Sequence, residues 1–235
     1  MTSSDVTLLA LHGLRLTGLA EAVAVAEVTG ADPGVIEVEL KSLADDDLVL
    51  RRDHPRRSGW ILSALGRRRG AELVAAELEA IGAERAVEAL YSCFCQLNPQ
   101  LLALCSQWQL VDAGRHVLND HLDPVYDQSV IDQLSMLDDR AQPILAALAA
   151  LLDRFGRYGP RLHSAVGKIH SGELDYFTKP VLASYHTVWF ELHEDLLATL
   201  GLDRASETAR QSRSTITPEL GFSGPPTTST PPRCD

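Results

Sequence analysis

Asp32-Pro33-Gly34-Val35-Ile36-Glu37-Val38-Glu39-Leu40-Lys41-Ser42-Leu43-Ala44-Asp45-Asp46-Asp47-Leu48-Val49 runs from a helix cap to the first residues of a strand. Asp32 is a good N-cap, and Pro33 suits the first helical position, where its missing N–H costs nothing. Ile36, Leu40 and Leu43 recur at i, i+4 and i+7, so they share one buried face. Upstream, Asp5 to Leu16 reads as a first helix with Leu8, Leu9, Leu11 and Leu14 inside, and Leu19 to Val28 as a second. Thr29-Gly30-Ala31 is a tight turn between the second helix and the third, and this spacing is a helix-turn-helix signature. Downstream, Leu48 to Arg52 is a short strand, Asp53 to Ser58 a polar turn and Gly59 to Ser63 a second strand, after which helix resumes at Ala64. Two strands joined by a basic turn directly after a helix-turn-helix make a wing.

The charge distribution points to the same segment. The formal net charge is −11, which taken alone argues against a nucleic-acid partner. Yet between Arg51 and Arg69 lie seven arginines (51, 52, 56, 57, 67, 68 and 69) and one acid, Asp53. Positive charge is thus concentrated on and just after the predicted wing of an otherwise acidic chain.

Residues 7–80 resemble the winged-helix part of MarR-type transcriptional regulators. The matching pieces are Leu43-Ala44-Asp45-Asp46-Asp47-Leu48-Val49, the basic turn from Asp53 to Arg57, and Leu62-Ser63-Ala64-Leu65-Gly66-Arg67. The resemblance covers about a third of the chain. It implies binding of double-stranded DNA as a homodimer, with the third helix in the major groove and the wing on phosphates. The residues then expected at DNA are Lys41, Arg51, Arg52, His54, Arg56 and Arg57. The sequence departs from the family on the third helix, whose outward face by spacing is Gly34, Glu37, Lys41 and Asp45, where the family usually presents serine, threonine and arginine. Two carboxylates there repel phosphates, although a glutamate can accept from cytosine N4.

From Ala71 onward the pattern is helical. The stripe Val87, Leu90, Tyr91, Phe94 and Leu97 is expected to end at Asn98-Pro99, with Leu101, Leu104, Cys105 and Trp108 in a further helix. Residues 112–123 read as a polar linker. Another helix holds Val130, Leu134 and Leu137, restarts at Pro143 and continues through Ile144, Leu148, Leu151, Leu152 and Phe155. A short helix spans Arg161 to His170, and Pro180 opens the last one. The fold expected is therefore mainly α: a winged helix-turn-helix over residues 1–80, an all-α bundle of five or six helices over 84–204 for ligand sensing or dimerisation, and a tail over 205–235. Sixteen of the last 25 residues are Pro, Gly, Ser or Thr, a composition too poor in large apolar groups to offset its ordering entropy.

Several clusters admit two readings. His163 and His170 share a helix face, as do His186 and His193, but a spacing of seven is about 10 Å along the axis, long for two ligands of one ion; hydrogen bonding at the edge of the core is the alternative. Arg154, Arg157 and Arg161 with Tyr158 suit an anion clamp or a solvated helix end. Trp108, Tyr185, Trp189, His186 and His193 suit an effector pocket or plain core. Cys93 and Cys95, two apart, point to different sides of a helix; with Cys105 and Cys234 they are expected to be reduced. No Ser-His-Asp order, Gly-rich phosphate loop or CxxC pair is present, so neither enzymatic activity nor a cofactor is expected. No signal-peptide pattern or run of eighteen apolar residues occurs, which predicts a cytoplasmic protein without a membrane partner. Two functions remain open: a DNA-binding regulator with a possible small-molecule effector, or a winged-helix protein-interaction module that has lost DNA binding.

Overall fold

Side-chain caps mark where the helices begin. Asp5 accepts from the Thr7 N–H (2.8 Å), Asp32 from Gly34 and Val35 (2.9 and 3.0 Å), and Ser63 from Gly66 (2.9 Å). They open α1 (Val6–Thr17), α3 (Pro33–Asp45) and α4 (Ala64–Ile81); α2 (Ala22–Thr29) lies between the first two. The structure is a computed structural model that describes residues 4–54, 57–112, 114 and 116–202. It is mainly helical. Strands β1 (Val49–Arg52) and β2 (Gly59–Leu62) pair antiparallel, with Val49 opposite Leu62 and Arg52 opposite Gly59.

The second helix starts three residues later than its apolar pattern predicts. Ala20 is instead drawn into a bridge with Trp60, exchanging two backbone hydrogen bonds of 3.1 and 2.8 Å. This ties the α1–α2 corner to β2. A second close approach holds the hairpin to α4: a Cβ added to Gly66 would lie 1.9 Å from the Leu48 carbonyl oxygen. In an ordinary helix interior Gly→Ala gains up to about 1 kcal/mol. Here Gly66→Ala must push backbone against backbone, and we expect a net loss of about 1–3 kcal/mol. Urea denaturation reads the sign, and a gain in stability would contradict the contact.

After α4 come α5 (Glu84–Gln109), β3 (Leu110–Asp112), β4 (Val117–Leu118), α6 (Pro124–Leu151), α7 (Tyr158–His170) and α8 (Tyr185–Thr199), with 3₁₀ turns at Asp153–Arg157 and Leu174–Tyr176. Where five or six helices were expected, residues 84–202 hold four α-helices. Neither Pro99 nor Pro143 breaks its helix. An interior proline costs about 3 kcal/mol, but Leu97, Leu101, Leu104, Cys105 and Trp108 bury one continuous face across Pro99, and Ala141, Leu145 and Leu148 do so beyond Pro143. Burial of several such side chains at about 1.5–3 kcal/mol each outweighs the penalty. Pro180 does not open the last helix; α8 starts at Tyr185, capped by Ser184. The expected polar linker contains the small antiparallel pair β3–β4. The expected tail over 205–235 lies outside the described residues.

Two apolar clusters form. One fills α1, α2, α3 and the first hairpin; the other fills the bundle from Leu78 to Leu202. Within the bundle α5 packs on α6, α6 on α7 and α7 on α8, while α1 and α4 both touch α8. Cys105 is buried in the second cluster, and burial pushes its thiol up to about 12, so it packs as a small apolar group. Cys95 and Cys105 are free thiols, as expected; Cys234 lies outside the described residues. Among the described residues no helix is long and apolar enough to cross a membrane.

Candidate nucleic-acid interface

α3 buries Ile36, Leu40 and Leu43 as its spacing requires, and so turns Gly34, Val35, Val38, Lys41, Ser42 and Asp45 outward. This differs from the expected outward face at Glu37, which is half-buried and accepts an ion pair from Lys41 at 3.0 Å. The repulsive carboxylate and the candidate phosphate contact partly neutralise each other. Val35 and Val38, apolar and exposed, stand in the middle of the face.

The arginine cluster is also less free than its spacing suggests. Arg51 reaches Glu21 with both terminal nitrogens (2.7 and 2.8 Å) and Asp53 with Nε (3.1 Å), and its guanidinium lies 5.5 Å from the Trp60 ring centroid. Arg57 donates to the Leu19 carbonyl at 2.6 Å. Arg67 donates to the Leu62 carbonyl, and Arg68 and Arg69 both approach Glu72. Arg52 and His54 are exposed, and Arg52 forms no ion pair among the described residues. Arg56 lies outside the described residues. Arg52 is thus the cation of this cluster most available to an anionic partner, while Lys41 is exposed but paired with Glu37. Glu21 sits thirty residues from Arg51, a pairing that no local pattern reveals.

Of the residues weighed as pocket or core, Trp108, Tyr185, Trp189 and His193 are buried in the bundle and His186 is half-buried. Trp108 stacks on Phe177 with centroids 4.5 Å apart, and Trp189 on Phe94 at 4.6 Å. Trp189 Nε1 donates to Asn98 (3.1 Å) and the Tyr185 hydroxyl to Asp138 (3.3 Å). The His193 ring lies 5.4 Å from Phe94 and 6.2 Å from Tyr91. His186, half-buried against Phe190, has its pKa pulled down by burial. A cavity of about 320 Å³ opens elsewhere, between α5 and α6, and is lined by Gln100, Leu104, Gln107, Gln133, Met136 and Arg140. Among the described residues no three His, Cys, Asp or Glu side chains gather as metal ligands; His163 faces Asp138 (3.2 Å) and His170 faces Ser135 (2.9 Å).

Where the two apolar clusters meet, the contact is ionic, and no sequence pattern announced it. Asp195 on α8, 1 % exposed, is met by His12 Nε2 from α1 (2.7 Å), the Tyr158 hydroxyl (2.8 Å) and Thr199 (3.3 Å). Arg154 pairs with Glu77 of α4, donates to Thr199 (3.2 Å) and lies 4.0 Å from Asp195. Arg157 and Arg161 share Glu191 at 3.1 and 2.5 Å, and Arg157 also donates to the Glu27 carbonyl of α2. The expected anion clamp is therefore made, but the protein's own carboxylates fill it. Burial drives the Asp195 carboxyl up; His12, Arg154 and the Tyr158 hydroxyl together reverse this and hold it below the ordinary carboxylate value. Burial, reinforced by Asp195, keeps the Tyr158 phenol well above its ordinary value, so it stays a donor. The space bordered by His12, Arg15 and Arg67 is about 10 Å³, no more than one water fills. This pair therefore joins the two halves of the molecule rather than facing a substrate.

No protein-family description, curated protein or solved structure matches this chain in the comparisons made.

Proposed function

We propose that the chain is a cytoplasmic DNA-binding transcriptional regulator of the MarR-like winged-helix type, acting as a dimer, with α3 in the major groove and the β1–β2 hairpin along the phosphate backbone. The observation that carries this reading is the Ala20–Trp60 bridge, which fastens a basic hairpin to the corner before the helix-turn-helix while Lys41 and Arg52 remain exposed. A wing held in that way lies along phosphates rather than swinging free. The bundle is the sensing or dimerising half, and the cavity between α5 and α6 has the volume of a small-ligand pocket.

A second reading, a module that binds protein instead of DNA, draws on the exposed Val35 and Val38 and on the carboxylates that already engage Arg51 and Lys41. Anisotropy of labelled duplex DNA, titrated across a salt series, separates the two. Under the first reading, binding is present at low salt and weakens as salt rises. Lys41→Ala and Arg52→Ala then each weaken it at all sequences alike and flatten the log K against log salt slope by about one. A wild-type chain without DNA affinity at low salt gives the second reading its place, and Val38→Asp is then the variant that abolishes capture of the protein partner.

A further inference from the structure

α3 carries valine at two exposed positions where neither core nor helix calls for it. Ile36, Leu40 and Leu43 already bury its inner face. Val35 and Val38 stand outside that face, 50 % and 69 % exposed. A β-branched side chain is a poorer helix former than the alanine, glutamate or lysine that suits a solvated position. The same helix lacks the groups that read purines. Between Pro33 and Asp45 there is no arginine, asparagine or glutamine, the side chains that grip guanine or adenine with two hydrogen bonds. Glu37 is held by Lys41 at 3.0 Å, and Glu39 accepts from the Thr7 hydroxyl at 2.7 Å. The Asp32 side chain takes the Gly34 and Val35 N–H groups and its carbonyl takes that of Ile36 (3.0 Å), so the first N–H groups of the helix are already used. What the N-terminal half of the outward face presents is two methyl-bearing side chains one turn apart, with Gly34 beside them adding no bulk.

We infer that Val35 and Val38 read thymine in the major groove, by packing on the C5-methyl groups that mark an A·T pair there. The inference rests on the DNA-binding reading and adds what the helix recognises. Charge is the reason that this apolar pair belongs with a polyanion. β1 packs against α3, and the segment that begins with it is rich in cations. Arg57 and Arg67, both exposed, donate to the neutral carbonyls of Leu19 and Leu62, and among the described residues neither faces a carboxylate. Arg68 and Arg69 share the single carboxylate of Glu72, and Arg52 forms no ion pair among the described residues. An apolar face beside such charge suits methyl groups carried on a phosphate duplex; an apolar protein partner would use the valines and leave the cations without a role. Asp45, Asp46 and Asp47 gather at the other end of α3, about 10 Å or more beyond Val38 along the axis. Phosphates are repelled there, so the N-terminal half is the end that enters the groove. Val35 and Val38 lie about 4.5 Å apart along the helix, against about 3.4 Å between successive base pairs, so the pair spans one base step.

A methyl group can be removed from a duplex, or added to it, without changing its charge or its base pairing, and the test uses this. The full chain is titrated at low salt against a labelled A·T duplex, the same duplex with deoxyuridine in place of every thymidine, and a G·C duplex with and without 5-methylcytosine. The wild type is expected to lose at least about tenfold in affinity when the thymine methyls are removed, at about fourfold for each methyl covered, with an unchanged salt slope. Methylation of cytosine at C5 should tighten binding by a similar factor. Val35→Ala with Val38→Ala, which retains a good helix former at both positions, should bind the thymidine and deoxyuridine duplexes equally. Arg52→Ala should weaken both and preserve their ratio. Equal wild-type affinity for the two A·T duplexes overturns the inference and leaves DNA binding standing. A preference that survives in the double valine variant overturns it as well, since the methyl then acts through duplex shape. A wild type that binds none of these duplexes removes the DNA reading and the inference together, and the valines pass to the protein-partner reading.

Discussion

Asp195→Ala is expected to cost about 3–5 kcal/mol, the range for removing one partner of a buried ion pair. The carboxylate receives His12, Tyr158 and Thr199 and lies near Arg154, and all of these groups are buried. Without it, the His12 ring and the Tyr158 hydroxyl lose their acceptor in a buried site, while Arg154 keeps Glu77. Asp195→Asn retains the shape and part of the hydrogen bonding, so its smaller loss measures the share owed to charge. Because Asp195 joins α8 to α1, the N-terminal cluster should melt before the bundle in the alanine variant, giving two calorimetric transitions. One transition at the wild-type temperature would sink this account of the junction. The pH dependence has a definite sign. The folded carboxyl titrates below its ordinary value, so its contribution is fully present above the unfolded-state pKa of about 3.9 and is lost as pH falls below that value. Between neutrality and pH about 5 this group should leave stability unchanged, and the alanine variant should lack the acid-dependent loss.

Trp189→Ala should be comparably severe, about 3–5 kcal/mol, as for other large aromatics removed from a core. The ring is fully buried, stacked on Phe94 and 5.9 Å from Tyr185, and its Nε1 donates to Asn98 across the bundle. Truncation leaves a void between α5 and α8 and an amide oxygen without its donor. Trp189→Phe refills most of the space and should lose about 1 kcal/mol through the hydrogen bond. Chemical denaturation reads both. A loss below about 1 kcal/mol for the alanine variant would mean that the ring borders open space, as an effector pocket at Trp108, Tyr185 and Trp189 requires. The two values together therefore test whether the aromatic cluster is core.

Local chemistry made much of the fold readable. Caps, a tight turn and i, i+4, i+7 spacing act within a few residues of each other, so α1, the Asp32 start of α3 and the β1–β2 pair all lie close to where their patterns predict. The start of α2, the continuity of α5 and α6 through their prolines, and the β3–β4 pair were not legible, because each depends on a distant neighbour. Ala20 is claimed by Trp60, and the prolines are carried by faces buried against other helices. The candidate interface divides in the same way. A cluster of seven arginines is visible in the chain, but whether a guanidinium is free depends on what lies within 3 Å, and Glu21 and the Leu19 carbonyl reach Arg51 and Arg57 only after folding. The junction at Asp195 joins residues 183 positions apart. Composition and periodicity report which face of an element is apolar; they carry no information on which charged groups become neighbours, since ion pairing falls off over a few ångströms and is set by how the elements pack.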